Sequence, residues 1–191
     1  MEEKVSINME NVLNAYKHAS EEQKTLLENL FDPDMFKPKD IMERVKTFED
    51  ACEVLGEDHQ YVLAYREWMR ISYANCKDIS AYLKLRIICA ALNEGWKPTF
   101  DGYECRHYPW FYTYTKKEYD ELKGDKKKRC RVFSMPNRIA SEHDDTVYAI
   151  ASSVSSFSNV YNGYLLALKT GELANYCSEQ FIDIWADYLF A

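Results

Sequence analysis

The stretch Asn93–Thr115, NEGWKPTFDGYECRHYPWFYTYT, decides the fold, because the spacing of apolar residues changes inside it. It carries two Trp, four Tyr and two Phe beside Lys97, Arg106 and His107. Before it, apolar residues recur at helical spacing; after it, they alternate. Arg106 to Thr115 reads as a strand. Tyr108, Trp110, Tyr112 and Tyr114 share one face, and His107, Pro109, Phe111 and Thr113 share the other. Rings this dense are either a core or a platform that stacks on a ligand. Because both faces carry rings, one set stays open unless both faces are covered.

Working back toward the N-terminus, the spacing predicts five helices. Asn8 to Ala19 carries Met9, Val12, Leu13 and Tyr16. Ser20 caps the next, with Gln23 as capping-box partner and a stripe of Leu26, Leu27, Leu30 and Phe31. After the Pro-punctuated break at 32–40, one helix runs from Asp40 to Gly56, with Glu43 at its capping-box position. Another covers Asp58 to Ala74. Asp78 caps a fifth that runs to Asn93 and ends at Gly95; its middle, YLKLRIICAAL, is apolar on most sides and marks it as the central buried helix. Gly95-Trp96-Lys97-Pro98 then turns the chain, and Trp96 becomes a flanking wall.

Working forward, Thr115 and Glu118 form a capping box for a short helix that ends at Gly124. The basic run Lys126-Lys127-Lys128-Arg129 forms a solvated hairpin tip leading into a second strand, Arg129 to Met135. Asp145 to Ser152 is a third strand, SSVSSFSN (152–159) a Ser-rich turn, and Val160 to Lys169 a fourth. Thr170 caps one long closing helix with Leu173, Cys177, Phe181, Ile184 and Tyr188 on one face. The fold class is α+β: N-terminal helices, then an antiparallel meander of about four strands, closed by a long C-terminal helix. Residues 1–37 are a helical extension and 38–191 the α+β domain.

Bulk properties narrow the function. The formal charge of −7 argues against a duplex-DNA binder that relies on counterion release. The six Cys at 52, 76, 89, 105, 130 and 177 form no CxxC pair and read as reduced, mostly buried thiols. The opening MEEKVSINMENV is acidic and polar, unlike a signal peptide, and no apolar run reaches the roughly 18 residues of a membrane span. The expectation is a cytoplasmic protein with no membrane partner.

The candidate site joins the aromatic strand to the basic run. Tyr108, Trp110 and Tyr112 would stack on bases, a contact worth ~1–3 kcal/mol per base. Arg129 and Arg131, with Lys128, would take phosphates, provided the second strand pairs beside the first. Metal and catalytic signals are weak. Cys105, His107 and Cys130 offer at most three ligands without the spacing of a zinc site. His143-Asp144-Asp145 resembles a fragment of a metal-dependent phosphohydrolase motif but lacks the partner residues. No nucleophile elbow, phosphate loop or dinucleotide fingerprint is present. Neither a cofactor nor catalysis is expected.

Four segments carry a family resemblance: VKTFEDACEVLG (45–56), ALNEGWKPTF (91–100), YPWF (108–111) and LKTGELANYCSEQFIDIWADYLF (168–190). In this order they resemble a family of small proteins encoded by gut Bacteroides-type bacteria, their mobile elements and their phages. The resemblance runs from about Ile41 to the C-terminus. It implies a phage or mobile-element context inside a bacterial host and supplies no catalytic residues. The chain departs from the family pattern at GYLLALKT (163–170), where an Arg and a Cys would precede the Lys.

These features lead to one expected function and two alternatives. The first is a non-catalytic protein that sequesters a small nucleotide, such as a cyclic nucleotide immune signal. The alternatives are a single-stranded nucleic-acid binder and a module that inhibits a host protein. A homodimer or higher homo-oligomer suits the helix-rich N-terminal third.

Overall fold

The computed structural model describes residues 6–71, 76–99, 101–134, 146–157 and 163–190. His143-Asp144-Asp145 lies outside them. The chain is α+β and divides into two compact units, Met1–Arg44 and Val45–Ala191.

The first unit holds α1 (Met9–Lys17), α2 (Glu21–Leu30) and the single turn α3 (Ile41–Arg44). Asn8 caps α1 by accepting from the Glu10 amide, and Ser20 and Gln23 close the expected capping box on α2. The Tyr16 hydroxyl donates to Glu28, and the Tyr16 ring stacks on Phe36 at 4.1 Å. Leu26 and Leu30 on α2 remain exposed.

The second unit begins with α4 (Phe48–Leu55), α5 (Gln60–Arg70) and α6 (Lys77–Asn93). The single helix expected from Asp40 to Gly56 is two. Thr47 starts α4 through a reciprocal pair with Asp50, so the backbone leaves helical geometry between Arg44 and Phe48. α6 is the central helix: Leu85, Ile87, Ile88, Cys89, Ala91 and Leu92 are fully enclosed, and α4, α5 and α10 (Ile182–Phe190) pack around it. It ends where Glu94 and then Gly95 take positive φ, 48° and 85°.

The sheet has three strands among the described residues, not about four: β1 (Arg106–Tyr114), β2 (Arg131–Ser134) and β3 (Thr146–Ser156). Its order is β1-β3-β2, all antiparallel, which corrects the meander. β3 is the middle strand, and Ser152 to Ser156, expected in a turn, pair with Trp110 to Arg106. The expected fourth strand fails for a specific reason. Asn93, at the end of α6, donates from its side-chain amide to the Ala167 carbonyl at 2.8 Å and accepts from the Lys169 amide at 3.1 Å. Those backbone groups are therefore taken from any ladder. Tyr164–Leu166 forms a 3-10 turn, and only Leu168 pairs, as an isolated bridge to His107.

Between β1 and β2 lie α7 (Lys116–Glu121) and α8 (Gly124–Arg129). The expected Thr115–Glu118 capping box opens α7. The basic run is a helix, not a hairpin tip, and β2 begins after it at Arg131. The closing helix is two: α9 (Gly171–Gln180), capped by Thr170 as expected, and α10. Phe181 leaves helical geometry between them, and it is itself buried together with Ile182.

Register assigns the two faces of the sheet. Opposed residues share a face, so Phe111, Ala151, Ala149, Arg131, Phe133 and His107 lie on one side. This side is covered by α9 and α10: Phe111 meets Trp185 at 5.7 Å and Phe133 meets Phe190 at 6.2 Å. The other side carries Tyr108, Trp110, Tyr112, Tyr114, Ile150, Tyr148 and Val132. α7 covers one end of it, stacking Tyr119 on Tyr148 at 4.4 Å beside Tyr114, Leu122, Cys130 and Ile150.

Candidate anion-binding cleft

α8 distributes its cations by helical geometry. Successive side chains point about 100° apart, so four adjacent basic residues cannot act together. Lys127 turns toward α7, where it donates to the Tyr119 carbonyl and sits 3.3 Å from the centre of the Tyr119 ring. Lys128 and Arg129 turn toward the helix-covered side of the sheet. There they meet Arg131, the first residue of β2, at a cleft of about 290 Å³ completed by Ala151, Glu179 and Ile182. Ala149 and Ala151 are small, so no bulky side chain from β3 fills this space.

The cleft is polar and open to solvent. Arg129 donates from Nη2 to Glu179 Oε1 at 2.8 Å and to the Ala151 carbonyl at 3.3 Å. The side chains of Arg129 and Glu179 are 49% and 55% exposed, so this ion pair is worth only about 0–1 kcal/mol and yields readily to a competing anion. Lys128 and Arg131 have no ion-pair partner among the described residues. Three cations and one carboxylate thus meet in one cleft of a chain whose formal charge is −7.

The structure brings Lys128, Arg129 and Arg131 together and separates them from the aromatic residues expected beside them. With β3 between β1 and β2, Arg131 faces the same way as Phe111 and Thr113, opposite to Trp110. Tyr108 is fully buried, so its ring has no surface to offer a base. Trp110 and Tyr112 are 40% and 55% exposed, with the equally open Val132 on the same face. Trp96 lines neither region's polar groups: its indole N–H donates to Glu104 Oε1 at 2.9 Å. Glu104 also accepts from the Thr99 amide and hydroxyl, and those bonds hold its carboxyl below the usual range. Trp96 therefore fastens the turn after α6.

Glu179, Ala151 and Ile182 were not singled out from the sequence. Glu179 stands 50 positions from its partner Arg129, and no local pattern links them. Among the described residues no group of three or more His, Cys, Asp or Glu could hold a metal ion, which includes Cys105, His107 and Cys130. All six Cys are free thiols. Burial and the neighbouring Cys177 raise the Cys89 thiol well above its ordinary value, so it is a poor nucleophile. No described helix is long and apolar enough to cross a membrane. The chain matches no family model, no curated protein and no solved structure.

Proposed function

We propose that this protein is a non-catalytic binder of a small phosphorylated ligand of the nucleotide class. The observation that carries the reading is the convergence of Lys128, Arg129 and Arg131 on one cleft. Guanidinium forks hold phosphate oxygens bidentately, and a compact anion needs only local complementarity, which an acidic chain can supply. At about 290 Å³ the cleft lies at the small end of ligand sites, so it takes a phosphate with its attached sugar and leaves a larger ligand partly outside. Base stacking by Tyr108, Trp110 and Tyr112 is no part of this reading, because those side chains belong to the other face of the sheet. In a phage or mobile-element setting, such a binder would sequester a nucleotide signal of the host.

The test is a thermal-stability titration with phosphate, mononucleotides, and cyclic di- and trinucleotides. A ligand at about 100 times its dissociation constant adds ~2.7 kcal/mol of stability. Arg131→Glu should abolish that gain and leave the unliganded melting temperature unchanged. If no phosphorylated compound shifts the wild-type transition, the reading fails.

A second reading has its own support. Trp110, Tyr112 and Val132 form an exposed apolar group on the opposite face, the composition of an interaction hot spot for a protein partner. Under this reading, Trp110→Ala abolishes capture of a host protein and leaves nucleotide binding intact. Salt-dependent binding of single-stranded DNA to the same face would replace it with a nucleic-acid platform.

A further inference from the structure

A site built only to attract anions would exclude a carboxylate, yet Glu179 stands in the wall of the cleft, 2.8 Å from Arg129. A carboxylate beside a bound phosphate repels it and also leaves strong acceptors facing the rest of the ligand. Only Oε1 of Glu179 is engaged by Arg129, and the side chain is 55% exposed. We infer that Glu179 is a specificity-determining residue that accepts hydrogen bonds from hydroxyl groups next to the ligand's phosphate, so that the cleft selects phosphate esters of a polyol, ribose above all, over bare phosphate. This rests on the cleft being the phosphate site. The geometry gives each part a role. Lys128 and Arg131, without ion-pair partners among the described residues, take the phosphoryl oxygens. Arg129 is held against β3 by the Ala151 carbonyl and presents Glu179 to the sugar. The carboxylate penalises phosphate alone, and a hydroxyl donor offsets that penalty.

Calorimetry on the full chain tests this with inorganic phosphate, ribose 5-phosphate and 2-deoxyribose 5-phosphate, against wild type, Glu179→Gln and Glu179→Ala. A hydrogen bond to a charged acceptor corresponds to about tenfold or more in affinity. The wild type should therefore prefer ribose 5-phosphate to both competitors by about that factor. Glu179→Ala should bring the three ligands together while tightening phosphate. Glu179→Gln, which keeps one acceptor oxygen, should retain part of the preference. If Glu179→Ala tightens all three equally, Glu179 is only a rival for Arg129 and the inference falls while the cleft stands. Equal wild-type affinities for the three also overturn the inference alone. If the wild type binds none of them, the phosphate site itself is wrong and the inference goes with it.

Discussion

Trp110 and Phe111 are neighbours in β1 with opposite fates, and the two faces of the sheet differ as they do. Phe111 looks toward α9 and α10 and packs on Trp185, which is fully buried. Trp110 looks the other way and keeps 40% of its surface in contact with solvent. Both residues are large and aromatic, so composition does not separate them. What separates them is coverage: two closing helices lie over one face, while α7 covers only the Tyr148 end of the other. A ring on a strand is core or platform according to what packs on it, and that is decided by elements distant in the sequence.

The comparison breaks most sharply at the two tryptophans. Trp185→Ala should cost roughly 3–5 kcal/mol, because it empties the contact between α10, β1 and α6. Trp110→Ala should cost under about 0.5 kcal/mol, as for an exposed surface site. Urea denaturation of the two variants measures both. Similar losses would mean that the Trp110 face is also covered, and the platform reading of that face would go.

Next in size is the floor of the cleft. Ala151→Phe places a ring where β3 leaves room and should cost about 1–3 kcal/mol from overpacking. It should also remove ligand binding without touching Lys128, Arg129 or Arg131. Binding that survives this substitution would place the ligand elsewhere. Smaller again is the cap on α7: Thr115→Ala should lose about 1 kcal/mol and loosen the Tyr119–Tyr148 stack, seen as a change in near-ultraviolet circular dichroism. If Tyr119 stays stacked, α8 and not α7 holds that end of the outer face closed.

Local chemistry was legible in the sequence. The caps at Ser20, Thr115 and Thr170, the buried course of α6, and the alternation of β1 follow from residues within a few positions of one another. Long-range pairing was not. That β3 enters between β1 and β2 depends on contacts across some 40 residues, and this one fact places Arg131 opposite to Trp110. The proposed union of rings and guanidiniums was therefore divided by topology, although every residue in it lies on the strand or helix end near where it was expected. The lost fourth strand has the same origin. GYLLALKT is apolar enough for a strand, but Asn93, more than 70 residues away, claims its backbone groups. Cleft formation adds a third case, since Glu179 acquires meaning only beside Arg129.

The smallest effect separates the faces by pH. His107 lies on the helix-covered side, its backbone paired with Leu168 at 3.0 and 2.8 Å, and its Nδ1 would stand 3.3 Å from a Cβ at Gly171, the first residue of α9. Burial pushes its pKa below the ordinary value near 6.5. The folded chain thus keeps the ring neutral where the unfolded chain already takes up a proton. The stability this provides is complete above about pH 6.5 and declines as pH falls toward the lower folded value, because the unfolded state then binds more protons. The depressed carboxyls of Asp50, Asp101, Glu104 and Glu118 act in the same direction but only below about pH 4.5, so the windows do not overlap. Melting temperatures measured between about pH 5 and pH 7 should fall with acidity in the wild type and flatten in His107→Gln. An unchanged slope in the variant would show that α9 does not desolvate His107, and the helix-covered face would be open at its β1 end.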